Sequence, residues 1–288
     1  MTSDYTETWA DAAQIDYISL SSNRRLRYLR SGTGSPLVLM HTLRTQLDYF
    51  QRLIPLLTDR FTVYAVDLPG LGWSDIRPGV HYEEPAIRRD MVEFIEKLAL
   101  TDLTVAGESM GATLALSIAA ELGSRVKRVV ALNTYDYPQG VERANILASV
   151  VIKMMRIPGI GLMVSKLENE LILSGILRGG FYDPKMLPKD FVKELIRSGH
   201  RAGYPGVETA YLHALNSFIA ARKVYGRISA PVTLVYGDHD WSKPAEREAV
   251  ARLVPGSQML TLARTGHFAS LEHPDQVAKI LIGAAAEN

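Results

Sequence analysis

The sequence predicts an α/β protein in which a mostly parallel central sheet is covered by helices on both faces. Short apolar runs of strand length alternate with stretches in which apolar residues recur at helical spacing. Such alternation is typical of parallel sheets, because helices join the strands and bury both of their sides. The chain has 288 residues, which is enough for one such domain with a large core.

The elements follow in order along the chain, beginning with a hairpin. Residues 14–20 and 25–30 alternate in polarity on either side of a Ser-Ser-Asn turn. Six buried strands are predicted from continuous apolar runs at Leu37–Met40, Phe61–Val66, Leu103–Ala106, Val126–Leu132, Val232–Tyr236 and Gln258–Leu262. Helices are predicted around Ile87–Leu98, directly after Gly107, at Ala245–Leu253, and at the end of the chain through Val277, Ile280, Leu281 and Ala284.

One long segment interrupts this alternation. Residues 133–223 contain only helix-like pieces and lie between the fourth and fifth of the six buried strands. We therefore predict a core formed by residues 1–132 and 224–288, with a helical cap, or lid, at residues 133–223. An insertion at this point projects beyond the carboxyl ends of the strands, where open α/β sheets bind ligands. Its many Met and Tyr residues are expected mostly to pack among themselves, with a minority lining a pocket.

Composition excludes several classes of function. The chain has 32 basic and 31 acidic residues and therefore a formal net charge of +1, so it lacks the basic surplus of a general nucleic-acid-binding protein. It contains no cysteine, which excludes a disulfide framework, a Cys-ligated metal and a thiol nucleophile. The expected partner is a small-molecule substrate, and the sequence predicts nothing about oligomeric state.

The longest apolar stretch is a poor candidate for a membrane span. Ile146–Val164 is interrupted by Lys153, Arg156 and a Pro-Gly pair, whereas a spanning helix needs ~20 mostly apolar residues. We expect no stable membrane insertion; packing against the protein's own domain is favoured over a helix that lies on a lipid surface. The first ten residues are polar and acidic and do not resemble a secretory signal, so the expected location is the cytoplasm.

A G-x-S-x-G motif identifies the candidate nucleophile. Gly107-Glu-Ser109-Met-Gly111 follows a predicted strand and opens a predicted helix. This is the setting of a nucleophile elbow, in which a tight turn exposes the serine and leaves no room for a side chain at either glycine. The motif alone is weak, and its position between strand and helix is what makes it informative.

A serine needs a base within reach, and the base needs an orienting carboxylate. Of the seven histidines, His267 follows the last predicted strand and so lies on the same sheet edge as Ser109; His239 and His273 are alternatives. Asp240 follows the fifth buried strand and is the preferred carboxylate. Asp238, more typical of a turn-stabilising residue, and Asp136 remain alternatives.

These residues together resemble the α/β-hydrolase superfamily, specifically its members with a serine nucleophile and a helical cap. The resemblance rests on His41, the segment 67–75, the elbow at Ser109, the segment 237–244, and Gly266-His267. It implies a Ser109–His267–Asp240 triad and an oxyanion hole formed by the backbone N–H groups of Met110 and Leu43. Thr42 stands where the superfamily usually has glycine, which predicts a differently shaped oxyanion loop.

The resemblance also narrows the chemistry. Haloalkane dehalogenases and epoxide hydrolases of this fold use Asp at the elbow, so a serine favours acyl transfer. The expected activity is hydrolysis of a carboxylic ester of a hydrophobic or aromatic small molecule, without metal or cofactor. Hydrolytic carbon–carbon cleavage of a diketone-like substrate, or ligand sensing by a receptor that retains the triad, are the alternatives. Five residues near these loops are expected to contact the substrate: His41, Arg44, Tyr135, Trp241 and Phe268. For Arg44, a surface ion pair with Asp48 is equally plausible.

Overall fold

A computed structural model describes residues 4–10, 13–77, 79–254 and 256–286, with side chains as far as residue 283. The ends of the predicted core, residues 1–3 and 287–288, lie outside the described residues. The side chain of Ala284, which we placed on the apolar face of the closing helix, lies outside them as well.

Within these ranges the strands form a single mixed sheet. They are β1 (Gln14–Ser19), β2 (Arg25–Ser31), β3 (Ser35–Met40), β4 (Phe61–Val66), β5 (Leu103–Glu108), β6 (Val126–Leu132), β7 (Val232–Gly237) and β8 (Gln258–Leu262). Their spatial order is β1-β2-β4-β3-β5-β6-β7-β8. The pairs β1–β2 and β2–β4 are antiparallel, and β4 to β8 pair in parallel. The predicted hairpin and the predicted parallel sheet are both confirmed.

Helices cover both faces of this sheet. They are α1 (Glu84–Lys97), α2 (Met110–Leu122), α3 (Ile146–Met155), α4 (Ile160–Lys166), α5 (Glu170–Arg178), α6 (Lys189–Gly199), α7 (Tyr204–Ala220), α8 (Pro244–Leu253), α9 (Ala269–Glu272) and α10 (Pro274–Ala286). Local chemistry sets several of their starts. For example, the side chains of Asn145 and Asn169 accept hydrogen bonds from backbone N–H groups in the first turns of α3 and α5.

The core consists of two apolar layers, one on each side of the sheet. Alternate residues of β3 belong to different layers: Val38 and Met40 pack with residues of α1 and α2, and Leu37 and Leu39 pack with residues of α10. This is the pattern expected of a strand that is buried on both faces.

Helices α3 to α7 lie in the segment between β6 and β7. We call residues 133–223 the helical insertion. It contacts the core through α7, where Val207 and Phe218 join the core layer that contains α1 and α2, and where the Tyr211 hydroxyl donates to the Pro69 carbonyl at 2.8 Å. None of the helices in the described ranges combines the length and apolar character that crossing a bilayer requires.

Candidate active site

Ser109 lies at a tight turn between β5 and α2. Its φ of 59° and ψ of −118° are uncommon for a residue with a side chain. The flanking glycines allow the turn. A Cβ on Gly107 would lie 2.4 Å from the backbone of Gly111, and a Cβ on Gly111 would lie 2.1 Å from the carbonyl oxygen of Met40. The local structure is therefore the strained elbow that the motif predicts.

The imidazole of His267 lies between this serine and a carboxylate. His267 Nε2 is 2.8 Å from Ser109 Oγ, and His267 Nδ1 is 2.5 Å from Asp240 Oδ1. The side chains of His267 and Asp240 are fully buried. The backbone N–H of His267 donates at 2.6 Å to the carbonyl of Gly180, which belongs to the helical insertion. Residues at the strand ends thus hold the ring of His267, and the helical insertion holds its backbone.

The second oxygen of Asp240 is held by its own loop. Ser242 donates to Oδ2 through its backbone N–H at 2.9 Å and also through its hydroxyl. Burial by itself would raise the pKa of Asp240, but the charge of His267 and the hydrogen bonds from His267 and Ser242 outweigh it and hold the pKa below its usual value. The carboxylate is therefore maintained as an anion beside the imidazole.

The two alternative carboxylates have other partners. Asp238 accepts hydrogen bonds from the backbone N–H groups of Arg264 and Thr265 at 2.9 and 3.0 Å, as a turn-stabilising residue does. Asp136 is buried and forms an ion pair with Arg222 at 3.4 Å. Of the alternative histidines, His239 is exposed and contacts Asp238, and His273 is half-buried and contacts the Arg264 carbonyl. The structure brings none of these four side chains to Ser109.

A mostly apolar cavity of about 70 Å³ opens at Ser109. Mostly apolar pockets with a few polar groups are where proteins usually bind small molecules. Its described lining comes from the core loops, and from α3, α5 and α7 of the insertion: Thr42, Leu43, Arg44, Ser109, Met110, Tyr135, Val141, Ile152, Met155, Glu168, Leu173, Ile176, Leu177, Glu208, Leu212, Leu215, Trp241 and Phe268. Four of the five predicted substrate contacts are therefore at the cavity wall.

Aromatic rings surround the imidazole of His267. The indole of Trp241 is stacked on it, with ring centroids 3.8 Å apart and an interplanar angle of 13°. Tyr135 and Phe268 meet it edge-on at 6.3 and 5.5 Å. All three of these residues also line the cavity.

His41 is the exception among the predicted substrate contacts, and the prediction is corrected here. The side chain is fully buried and is absent from the described cavity lining. Its Nε2 accepts a hydrogen bond from the Leu68 backbone N–H at 3.0 Å, and its Nδ1 is 2.8 Å from the Thr42 carbonyl. Burial is the largest influence on the pKa of His41 and lowers it, which favours the neutral ring. His41 therefore supports the loop behind the cavity.

In the loop that follows β3, the residue with a positive φ is not the one at which the resemblance implies glycine. The positive φ in this loop is at Arg44, at 61°, and Thr42 does not have one. Leu43 lies between them at the cavity wall. Among the described residues, no hydrogen bond uses the backbone N–H of Leu43 or of Met110. Both amides are therefore unengaged beside Ser109.

Arg44 belongs to a buried ionic cluster at the cavity wall. It forms ion pairs with Glu168 and, at 3.4 Å, with Glu208, both in the helical insertion. The alternative partner Asp48 instead pairs with Arg27 at 3.6 Å, so that alternative is wrong. Burial, together with the nearby Glu168 charge, raises the pKa of Glu208 to about 7, although Arg44 and Ser165 favour its ionised form.

Two buried residues beside the site escaped the sequence analysis. Glu108, which precedes Ser109, accepts backbone hydrogen bonds from Ala269 at 2.5 Å and Ser270 at 3.1 Å, two and three residues after His267. Asn133 donates to the His267 carbonyl at 3.0 Å and accepts from the Gly237 N–H at 2.9 Å. Each residue lies at the carboxyl end of a buried strand. A charged or amide side chain at such a position predicts a structural role, because a buried polar group needs hydrogen-bond partners.

No metal site accompanies this arrangement in the part of the chain that the structure describes, where no three His, Asp or Glu side chains are grouped to hold an ion. The site therefore consists of a serine, an imidazole and a carboxylate joined by hydrogen bonds, with two backbone donors beside the serine.

Comparison with known proteins agrees with the fold. A family model described as the α/β-hydrolase fold matches residues 35–150. Haloalkane dehalogenase 2 of Mycobacterium tuberculosis is 25% identical over 280 residues, covering 91% of this chain and 92% of that protein. Among solved structures, Cfl2 from Burkholderia cenocepacia superposes with a TM-score of 0.83 at 23% identity, covering 94% of this chain and 95% of that one.

A meta-cleavage product hydrolase from Pseudomonas fluorescens IP01 also superposes, with a TM-score of 0.78 at 16% identity over 94% of this chain and 97% of that one. At these sequence identities, similarity to the solved structures shows the fold alone. Together with the family model over residues 35–150, they show that the chain has the α/β-hydrolase fold.

Proposed function

We propose that this protein is a serine hydrolase that cleaves carboxylic esters of hydrophobic or aromatic small molecules through an acyl-enzyme. The observation that carries the proposal is the hydrogen-bonded series Ser109 Oγ, His267, Asp240, with heavy-atom distances of 2.8 and 2.5 Å, at the wall of an apolar cavity. Such a series turns a weakly nucleophilic hydroxyl into an efficient one.

In the acylation step, Ser109 Oγ bonds to the ester carbonyl carbon while its proton passes to His267 Nε2. The tetrahedral intermediate collapses as the carbon–oxygen bond to the alcohol breaks, and His267 returns the proton to the leaving alkoxide. Asp240 holds the imidazole in the required tautomer and stabilises its cationic form. A water molecule then attacks the acyl carbon, giving one proton to His267, which returns it to Ser109 Oγ as the acid departs.

The negative charge of both tetrahedral intermediates falls on the former carbonyl oxygen. The backbone N–H groups of Met110 and Leu43 are the proposed donors to this oxyanion, since both residues line the cavity beside Ser109. Met110 is the first residue of α2, so the positive end of that helix adds to the same effect.

The cavity wall supports a neutral, apolar substrate. Most of its lining side chains are aliphatic or aromatic. The cation in that lining, Arg44, is already paired with Glu168 and Glu208, so an acidic substrate group would meet two carboxylates along with it. Burying a charge without a free partner is costly. We therefore favour uncharged acyl and alcohol groups.

The relatives named as haloalkane dehalogenases raise the question of a carboxylate nucleophile. In this fold that role belongs to an Asp at the elbow, where this chain has Ser109. The adjacent carboxylate, Glu108, is fully buried, and both of its oxygens accept backbone N–H groups of α9. Glu108 is absent from the described lining of the cavity, which supports acyl transfer rather than displacement at an alkyl carbon.

The helical insertion is proposed to act as a lid. Helices α3, α5 and α7 supply cavity-lining residues opposite the strand ends, and the Gly180 carbonyl holds the His267 backbone. Substrate entry therefore requires that some part of residues 133–223 either moves or leaves an opening.

A substrate panel tests the proposal. Purified protein is assayed with p-nitrophenyl esters of aliphatic and aromatic acids and with vinylogous diketones. Multiple turnover of the esters, lost in Ser109→Ala, is the expected result. Turnover of the diketones alone would make the protein a carbon–carbon hydrolase. Covalent labelling of Ser109 by a fluorophosphonate without turnover of either class would favour a ligand-binding receptor.

A further inference from the structure

The outer side of the helical insertion carries an unusually large set of exposed apolar side chains. Of the fourteen large hydrophobic residues that are exposed in the described part of the chain, ten lie between residues 146 and 171. We call these ten the lid patch: Ile146, Leu147, Val150, Met154, Ile157, Ile160, Leu162, Met163, Leu167 and Leu171. Single exposed apolar residues are ordinary, but a set concentrated in one place marks an interaction site.

The patch lies on helices that pack together. Helix α3 contacts both α4 and α5, and the side chain of Leu147 lies against Gly175 of α5. Ile146, Val150 and Met154 recur every four residues and so share the outer face of α3. Ile146 is 85% exposed, and Leu171 on α5 is 80% exposed.

The same helices line the cavity from the other side. Ile152 and Met155 of α3 face the cavity, as do three residues of α5. Helix α3 is therefore apolar on both its inner and its outer face, whereas a helix at a water-exposed surface normally has a polar outer face. The inner face is explained by the cavity, and the outer face has no explanation within the described fold.

Charged side chains within the patch are predominantly basic. Lys153, Lys166 and Arg178 are exposed, and none of them has an ion-pair partner among the described residues. Lys153 lies on the same outer face of α3 as Val150 and Met154. The exposed acidic residue in these helices is Glu170. Lysine and arginine with long aliphatic stems can lie on an apolar layer while their charged ends reach anionic head groups.

We propose that the lid patch adsorbs reversibly to an anionic lipid surface, with the apolar side chains in the acyl boundary and the three cations at the phosphates. Adsorption of this kind needs no membrane-spanning helix. A corollary, which rests on the proposed ester hydrolysis, is that the substrate reaches the cavity from the lipid phase. It would pass between the helices that carry the lid patch on their outer side and line the cavity on their inner side.

A second copy of the chain fits the patch less well. Symmetric dimers bring the same surface of each protomer together. Such a contact would bring six cations into one interface, from Lys153, Lys166 and Arg178 of each protomer, with one glutamate on each side to offset them. Like charges across an interface disfavour it, whereas phosphatidylglycerol or phosphatidylserine complements it.

Vesicle flotation with the full chain tests the proposal. The Ser109→Ala background removes any hydrolysis of vesicle components, and binding is measured to phosphatidylcholine vesicles with and without phosphatidylglycerol. We expect binding to the mixed vesicles that weakens as salt rises. A patch variant combining Ile146→Ser, Met163→Ser and Leu171→Ser should lower that binding at least about tenfold.

Two further variants complete the design. A matched control combines Leu56→Ser, Leu253→Ser and Met259→Ser, which remove exposed apolar residues elsewhere and should leave binding unchanged. A charge variant combining Lys153→Gln, Lys166→Gln and Arg178→Gln should lose about tenfold or more of the preference for phosphatidylglycerol.

Three outcomes would overturn the proposal. The first is that the protein with an unmodified lid patch does not float with the vesicles. The second is that the patch and control variants lose equal amounts of binding. The third is that the protein binds no vesicles but sediments as a dimer, and that the patch variant sediments as a monomer. Vesicle binding does not depend on Ser109. If the protein binds vesicles but turns over no ester, the proposed function and the corollary on substrate entry are rejected, whereas the proposal that the lid patch binds a lipid surface stands.

Discussion

The indole ring of Trp241 lies flat on the imidazole ring of His267, with centroids 3.8 Å apart and planes inclined by 13°. The indole is fixed by a hydrogen bond of 3.0 Å from its Nε1 to the carbonyl of Gly179 in the helical insertion. Because Trp241 follows Asp240 directly, one loop supplies both the carboxylate at the edge of the imidazole and the ring on its face.

Replacing this ring should slow catalysis. An aromatic face stabilises a neighbouring cation by ~1 kcal/mol or more when water is excluded, and His267 becomes cationic during each proton transfer. We expect Trp241→Leu to lower kcat for a p-nitrophenyl ester by about tenfold, whereas Trp241→Phe keeps most of the activity. Equal kcat values in Trp241→Leu and the unmodified protein would show that the stacking is only packing.

The identity of the orienting carboxylate can be tested with matched amides. Asp240→Asn keeps the shape but favours the wrong imidazole tautomer, so kcat should fall about 10⁴-fold. Asp238→Asn is the control, since that side chain binds the backbone of Arg264 and Thr265 on the surface, and it should retain nearly full kcat. A large loss in Asp238→Asn with an active Asp240→Asn would reverse the assignment.

Glu108 is expected to position His267 through the backbone of α9. Glu108→Gln replaces one acceptor oxygen with an NH₂ group that would face the N–H of Ala269 or Ser270. The mismatch should destabilise the fold by about 1–3 kcal/mol and lower kcat, with little change in KM. Urea unfolding and steady-state kinetics measure the two effects, and Glu121→Gln on the surface of α2 serves as the control. If the free energy of unfolding of Glu108→Gln equals that of the unmodified protein, Glu108 does not position His267 through α9.

The ionic cluster predicts a pH-dependent stability. Since burial and Glu168 raise the pKa of Glu208 from 4.5 to about 7, the folded state binds a proton that the unfolded state has already lost in this range. Its contribution to stability is complete below about pH 4.5 and is lost as pH rises through about 7.

In Glu208→Gln this part of the pH dependence should disappear. The measurement is the urea midpoint of both proteins at several pH values across that range. Parallel curves for the two proteins would contradict the prediction, because they would mean that Glu208 titrates alike in the folded and unfolded states.

Much of the fold could be predicted because buried strands have a simple signature. The strands Phe61–Val66, Val126–Leu132 and Gln258–Leu262 have the bounds that their apolar runs indicate. The placement of β4 between β2 and β3 has no such signature, since strand order depends on contacts between distant parts of the chain.

The site shows the same division. Ser109, Asp240 and His267 follow strand ends, so a parallel sheet predicts that they share one edge; their proximity was foreseeable and their catalytic roles remain proposals. The partners of Arg44 were not foreseeable, because Glu168 lies 124 residues further along the chain. Thr42 predicted a differently shaped loop, but not the position of its positive φ, which the structure places at Arg44.

Trapping the acyl-enzyme tests directly whether Ser109 is the nucleophile of ester hydrolysis. The protein is mixed with a p-nitrophenyl ester of an aromatic acid, quenched in acid at early times and digested for mass spectrometry. We expect a rapid release of nitrophenol equivalent to the active enzyme, with the acyl group on Ser109, and loss of both signals in Ser109→Ala. Ester turnover with no acyl group on Ser109, or turnover that persists in Ser109→Ala, would contradict this role of Ser109.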